Sequence, residues 1–140
     1  MIVIRFILGR LVLAIDFLTR KKPIQKSSEA LKKQRSLTQN LAIYQFHACP
    51  FCVKVRRFMH EESLEIELRD AKNDVVYRKQ LLEDGGKIQA PCLRIKNGQG
   101  DHTWIYESDV IIQYLADNVV VNDDVTTSAE TSPAAGSTQK

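Results

Sequence analysis

The chain reads as an α/β domain with the element order βαβαββα behind a hydrophobic N-terminal helix, and three observations predict this. Leu41-Ala-Ile-Tyr-Gln-Phe46 is an almost unbroken apolar run of strand length, as expected of a strand buried on both faces. Immediately after it, Cys49-Pro50-Phe51-Cys52 opens the helix-periodic stretch Val53 to Met59, which makes a strand-to-helix junction. Further on, two short β-rich segments flank the turn sequence Asn97-Gly98-Gln99-Gly100-Asp101 and lead into a last amphipathic helix.

Each element has its own signal. Pro50 suits the first turn of a helix, where its missing N–H has no intrahelical partner to lose; Val53, Val55, Phe58 and Met59 supply the inward face and Lys54, Arg56 and Arg57 the wet one. Leu64-Glu-Ile-Glu-Leu68 alternates strictly and predicts a strand with one apolar face. Asp74 or Asn73 can cap a helix over Val75 to Glu83, which Gly85-Gly86 stops. Pro91-Cys92-Leu93-Arg94-Ile95 is a strand opened by proline, and Thr103-Trp104-Ile105-Tyr106 is its partner across the turn. Ser108 is placed to cap the final helix, which carries Val110, Ile111, Tyr114 and Leu115.

With 140 residues there is room for one core and its tails. The net charge of +3 is unevenly spread. Residues 1–40 hold nine Lys/Arg against two acids, a net of +7, and residues 41–140 hold eleven against fifteen, a net of −4. The basic arm lacks interleaved aromatics and a groove-reading element, so no nucleic-acid partner is expected. Three cysteines make an odd count without a framework of pairs, which argues against a disulfide-stapled secreted fold and for a reducing compartment, the cytoplasm.

Fourteen of the first 18 residues are apolar, interrupted by Arg5, Gly9, Arg10 and Asp16. At 100° per residue Arg5, Gly9, Asp16 and Arg20 fall on one stripe, leaving a wide oily face. A span needs about 20 apolar residues and Arg near its centre is costly, so residues 1–22 are expected to lie on a membrane surface rather than cross it, at its inner face where Arg20-Lys21-Lys22 meet anionic head groups. The alternative is packing against its own domain or a partner chain. No small-residue cleavage site follows the apolar run. Residues 23–40, broken at Pro23 and rich in Lys, Gln and Ser, read as a basic linker, and residues 122–140, almost without apolar content, as a disordered tail.

The chemistry centres on the two thiols. A cysteine at a helix start feels the partial positive charge of the unpaired N–H groups, which favours thiolate; Cys49 is the expected nucleophile and Cys52, one turn along, its resolving partner. The pair is also half of a zinc knuckle, with His47 and Cys92 as remaining ligand candidates, but no second pair follows and no metal is expected. Cys92 reads as a small buried strand residue.

Over roughly residues 41–118, within a domain expected to run over residues 41–121, the pattern resembles the glutaredoxin family of the thioredoxin-like fold, a three-layer α/β/α arrangement. Cys49-Pro50-Phe51-Cys52 matches the family's Cys-Pro-Tyr/Phe-Cys, Ala90-Pro91 its cis proline, and Ser108-Asp109 the polar pair opening its last helix. Tyr106-Glu107-Ser108-Asp109-Val110-Ile111 is also similar to the glutathione-binding signature of glutathione transferase N-terminal domains. The chain departs from the family at Phe46, where many members have lysine, with His47 beside it, at Gln89-Ala90, which replaces Thr-Val, and at Cys92 directly after the proline.

The resemblance implies a glutathione-dependent thiol–disulfide oxidoreductase with Cys49 and Cys52 as catalytic residues. Glutathione would be held by Phe51, Lys87, Ala90, Pro91, Ser108 and Asp109: Ala90 pairs strand-like with the peptide, the helix start at Ser108-Asp109 takes the γ-glutamyl end, and Lys87 meets the glycine carboxylate. Partners would be glutathione and proteins carrying disulfides or glutathione adducts. The alternative from the same resemblance is a binding module, either for glutathione without turnover or for a [2Fe–2S] cluster carried between two copies.

Overall fold

The computed structural model describes residues 2–123. The expected tail therefore lies almost entirely outside the described residues. The elements are α1 (Ile2–Thr19), α2 (Ser28–Thr38), β1 (Leu41–Gln45), α3 (Pro50–Glu61), β2 (Glu67–Asp70), α4 (Val75–Glu83), β3 (Cys92–Lys96), β4 (His102–Tyr106) and α5 (Ser108–Asn118), with one 3₁₀ turn at Gly98–Gly100. The sheet order is β2-β1-β3-β4; β1 runs parallel to β2 and antiparallel to β3, and β4 is antiparallel to β3. From β1 onward this is the βαβαββα order of a thioredoxin-like fold.

Alternation along the strands divides the core in two. Leu41, Ile43 and Leu93 point to one side, where Val55 and Met59 of α3 and Ile111 and Leu115 of α5 close over them. Tyr44 and Cys92 point to the other, against Ala71 just after β2 and Leu81 of α4. Three layers result, with all five residues of β1 buried as its sequence predicts. Asp74 caps α4, accepting from the N–H groups of Val76 and Tyr77. At the far end of α4, Gly85 lies so close to Trp104 and Tyr106 that a side chain there would collide with them and with the Leu81 carbonyl.

Three expectations are corrected. The second strand starts at Glu67, not Leu64: Leu64 and Ile66 are buried ahead of it because a left-handed Ser63 (φ 54°) and the Leu64 N–H to Met59 carbonyl bond (2.8 Å) drop them directly into the core beneath α3. Ser108 is the first residue of α5, and Glu107, with φ 71°, occupies the cap position. The linker expected over residues 23–40 contains helix α2, capped by Ser27 and docked through Ala30, Gln34 and Thr38 at intervals of four. Its pattern is hidden because the buried stripe is small and polar.

α1 runs alongside α3 in the same direction. Gly9 meets Ala48, Asp16 lies by Arg57, and the Ile24 N–H donates to the Glu61 carbonyl at 2.9 Å. Among the described residues no helix is long and apolar enough to cross a membrane.

Candidate active site

The ladder between β1 and β3 ends at Tyr44↔Cys92, so the loop carrying Phe46 to Cys49 and the loop carrying Ala90-Pro91 leave the same end of the sheet. Cys49 is the N-cap residue of α3, partly exposed, with Pro50 in the first turn behind it. The loop is held by backbone bonds: the Cys49 N–H donates to Phe46 O at 3.1 Å, and the Cys49 carbonyl accepts from Val53 N–H at 2.9 Å. Arg56 reaches back from α3 to the Gln45 side chain (2.6 Å) and the His47 carbonyl (2.8 Å). That guanidinium, expected to be wet, is half-buried as a brace for the thiol loop, and burial lowers its pKa.

The two thiols differ in environment. Cys52 is 1% exposed and accepts the Phe46 N–H at 3.4 Å. Burial pushes its thiol up to about 12, with the neighbouring Cys49 adding to the rise and the Phe46 N–H opposing it. Cys92 is fully buried in β3, and burial likewise raises it to about 11. All three cysteines are free thiols.

Beside Cys49 opens a groove of about 690 Å³. Leu8, Phe46 and Ile88 give it apolar walls, while Arg5, Lys72 and Arg78 are its charged lining; no acid lines it. Sequence reasoning missed all three cations because they come from α1, the turn after β2 and α4, which are remote in the chain from the thiol pair.

The predicted glutathione contacts meet mixed fates. The Ala90–Pro91 bond is cis. Phe51 is largely exposed next to the thiols. Ser108 is buried and Asp109 is exposed, its carboxylate paired with Lys54 of α3. The ammonium of Lys87 sits 4.3 Å over the Tyr106 ring, outside the groove lining. Gln89 donates to Glu107 at 2.9 Å, tying the proline loop to the start of α5. Among the described residues no three His, Cys, Asp or Glu side chains gather as a metal site.

A thiol pair at the start of α3, at the sheet end from which the Ala90-Pro91 loop also leaves, marks a thiol-bearing domain of the thioredoxin-like class. The model of the glutathione S-transferase N-terminal domain matches residues 43–121, more than half of the chain, and the chain belongs to that family. No curated relative matches. Among solved structures, that of a mutant of the thioredoxin-like protein BC3987 is similar, at 23% identity and a TM-score of 0.47 over 58% of this chain and 97% of that one.

Proposed function

We propose that the chain is a glutathione-dependent thiol–disulfide oxidoreductase. The observation that carries this reading is the partly exposed Cys49 at a helix start, opening on a groove whose charged lining residues are all cations. Glutathione carries two carboxylates and one ammonium. Arg78 and Lys72 suit its glycine carboxylate better than Lys87, whose ammonium is engaged with Tyr106. The backbone N–H groups at the start of α5 suit the γ-glutamyl carboxylate, while the Asp109 side chain is engaged with Lys54.

In the first step the Cys49 thiolate attacks the glutathione sulfur of a mixed disulfide R–S–SG, forming Cys49–S–SG and releasing RS⁻. In the second, a glutathione thiolate attacks that adduct, regenerating the Cys49 thiolate and giving oxidised glutathione. The sum is a disulfide exchange in which R–S–SG and one free glutathione thiolate become RS⁻ and oxidised glutathione, with Cys49 returned unchanged. Burial holds Cys52 protonated at neutral pH, which favours glutathione over Cys52 as the resolving thiol.

The test is reduction of a small hydroxyethyl disulfide by glutathione, coupled to glutathione reductase. The parent should turn over, Cys49→Ser should lose at least about a hundredfold, and Cys52→Ser should stay within about threefold of the parent. An inactive parent, or a Cys49→Ser variant as active as the parent, overturns the proposal; a dead Cys52→Ser variant overturns the route through free glutathione.

A further inference from the structure

Helix α1 presents its two faces the opposite way round from a helix that only packs on its own domain. Gly9, Val12, Leu13 and Asp16 form the stripe that turns inward. Asp16 is 3% exposed; its Oδ2 accepts from Arg20 at 2.6 Å and its Oδ1 lies 3.6 Å from the Arg57 guanidinium of α3. Gly9 permits the close approach, since a Cβ there would come within 3.2 Å of Ala48. On the opposite arc Val3, Ile4, Ile7, Leu11, Ala14 and Leu18 form an uninterrupted apolar surface, with Ile7, Leu11 and Leu18 at 59%, 51% and 80% exposure.

We propose that this outer face of α1 docks on an anionic lipid bilayer, lying in the headgroup–acyl boundary, and so seats the Cys49 groove beside the membrane. Charge selects the occupant. Between residues 2 and 28 the one acid is Asp16, which is buried and ion-paired, while Arg10 is exposed at one edge of the apolar arc and Lys21 and Lys22 just past its C-terminal end. A second copy would set these cations against their like; anionic head groups neutralise them. A wide apolar arc bordered by cations is the pattern of an interfacial helix.

The consequence concerns substrate class and rests on the oxidoreductase reading. Ala48, next to Cys49, touches α1 at Gly9, so the thiol loop is separated from the lipid by about one helix diameter, roughly 10–12 Å. The preferred substrates are then disulfides or glutathione adducts carried at the membrane surface.

The experiment is sedimentation of the full chain with vesicles of phosphatidylcholine alone and of phosphatidylcholine with phosphatidylglycerol. Binding should favour the anionic vesicles and weaken at least about tenfold in an Ile7→Ser, Leu11→Ser, Leu18→Ser variant, whose thermal midpoint should match the parent's because these side chains point away from the domain. An Arg10→Glu, Lys21→Glu, Lys22→Glu variant should lose the preference for phosphatidylglycerol. Failure of the parent to bind either vesicle, equal binding by parent and serine variant, or a lipid-free dimer that the serine substitutions dissociate would each overturn the proposal. Turnover of the small soluble disulfide should be the same in parent and serine variant, so loss of vesicle binding and loss of redox activity are read separately.

Discussion

Replacing Gln34 by alanine tests whether the segment before β1 is part of the folded unit. The side chain is 1% exposed and saturated: Nε2 donates to the carbonyls of Glu62 (3.0 Å) and Ser63 (3.3 Å), and Oε1 accepts from Lys26 Nζ (2.7 Å) and the Val121 N–H (3.0 Å). Three of these bonds are between neutral groups, at about 1 kcal/mol net each, and the one from the ammonium adds about 1.5–2 kcal/mol. Lys26 keeps its 2.8 Å pair with Glu62, and water can reach part of the vacated space, so the loss should be about 3–4 kcal/mol. That is a large share of a typical stability of about 5–15 kcal/mol, and at this chain length it lowers the melting temperature by roughly 10–15 °C. Urea unfolding followed by circular dichroism measures it, with Lys33→Ala on the exposed face of α2 as a control expected within about 0.5 kcal/mol of the parent. A Gln34→Ala variant within about 1 kcal/mol of the parent at unchanged m-value would refute the docking of α2.

Two further outcomes follow from the thiols. Brief alkylation of the native protein at neutral pH should label Cys49 alone, since Cys52 and Cys92 are buried, and all three after unfolding; mass spectrometry of the digested protein reads this, and labelling of Cys52 at the rate of Cys49 would contradict the burial. Alkaline stability should fall. The folded state holds the Cys52 and Cys92 protons up to about 12 and about 11, whereas the unfolded chain releases them near 9.0, so between these values the unfolded state binds fewer protons and each thiol removes up to about 1.4 kcal/mol of stability per pH unit. Thermal melts of the parent and of a Cys52→Ala, Cys92→Ala variant across that range should diverge, the variant showing the shallower decline.

Most strands and helices from Leu41 onward are legible in apolar periodicity, and α4, which buries only Leu81, in its Asp74 cap and the Gly85-Gly86 stop. What was illegible lies where polar groups replace that pattern. The docked face of α2 is Ala30, Gln34 and Thr38, so its burial depends on hydrogen bonds to the end of α3, which no periodicity reports. Arg56 is another such case: a charge on a helix surface is ordinarily solvated, and only the path of the loop below it brings Gln45 and the His47 carbonyl within reach. The second strand slipped toward the C-terminus for a related reason. The alternation of Leu64 and Ile66 records burial faithfully, but under a helix end rather than in a ladder.

The same separation between chain position and spatial position is seen at Phe46. Many members of the resembling glutaredoxin family place a lysine three residues before the nucleophile, so that the strand end itself supplies positive charge. Here that position lines the groove with an aromatic ring, and the charge arrives from three other elements, through Arg5, Lys72 and Arg78. One of those elements is α1, which also carries the outward apolar face. The groove beside Cys49 and the proposed bilayer contact are therefore opposite sides of one helix, held to α3 by the buried Asp16, and displacing that helix removes one cation and one apolar wall from the groove together.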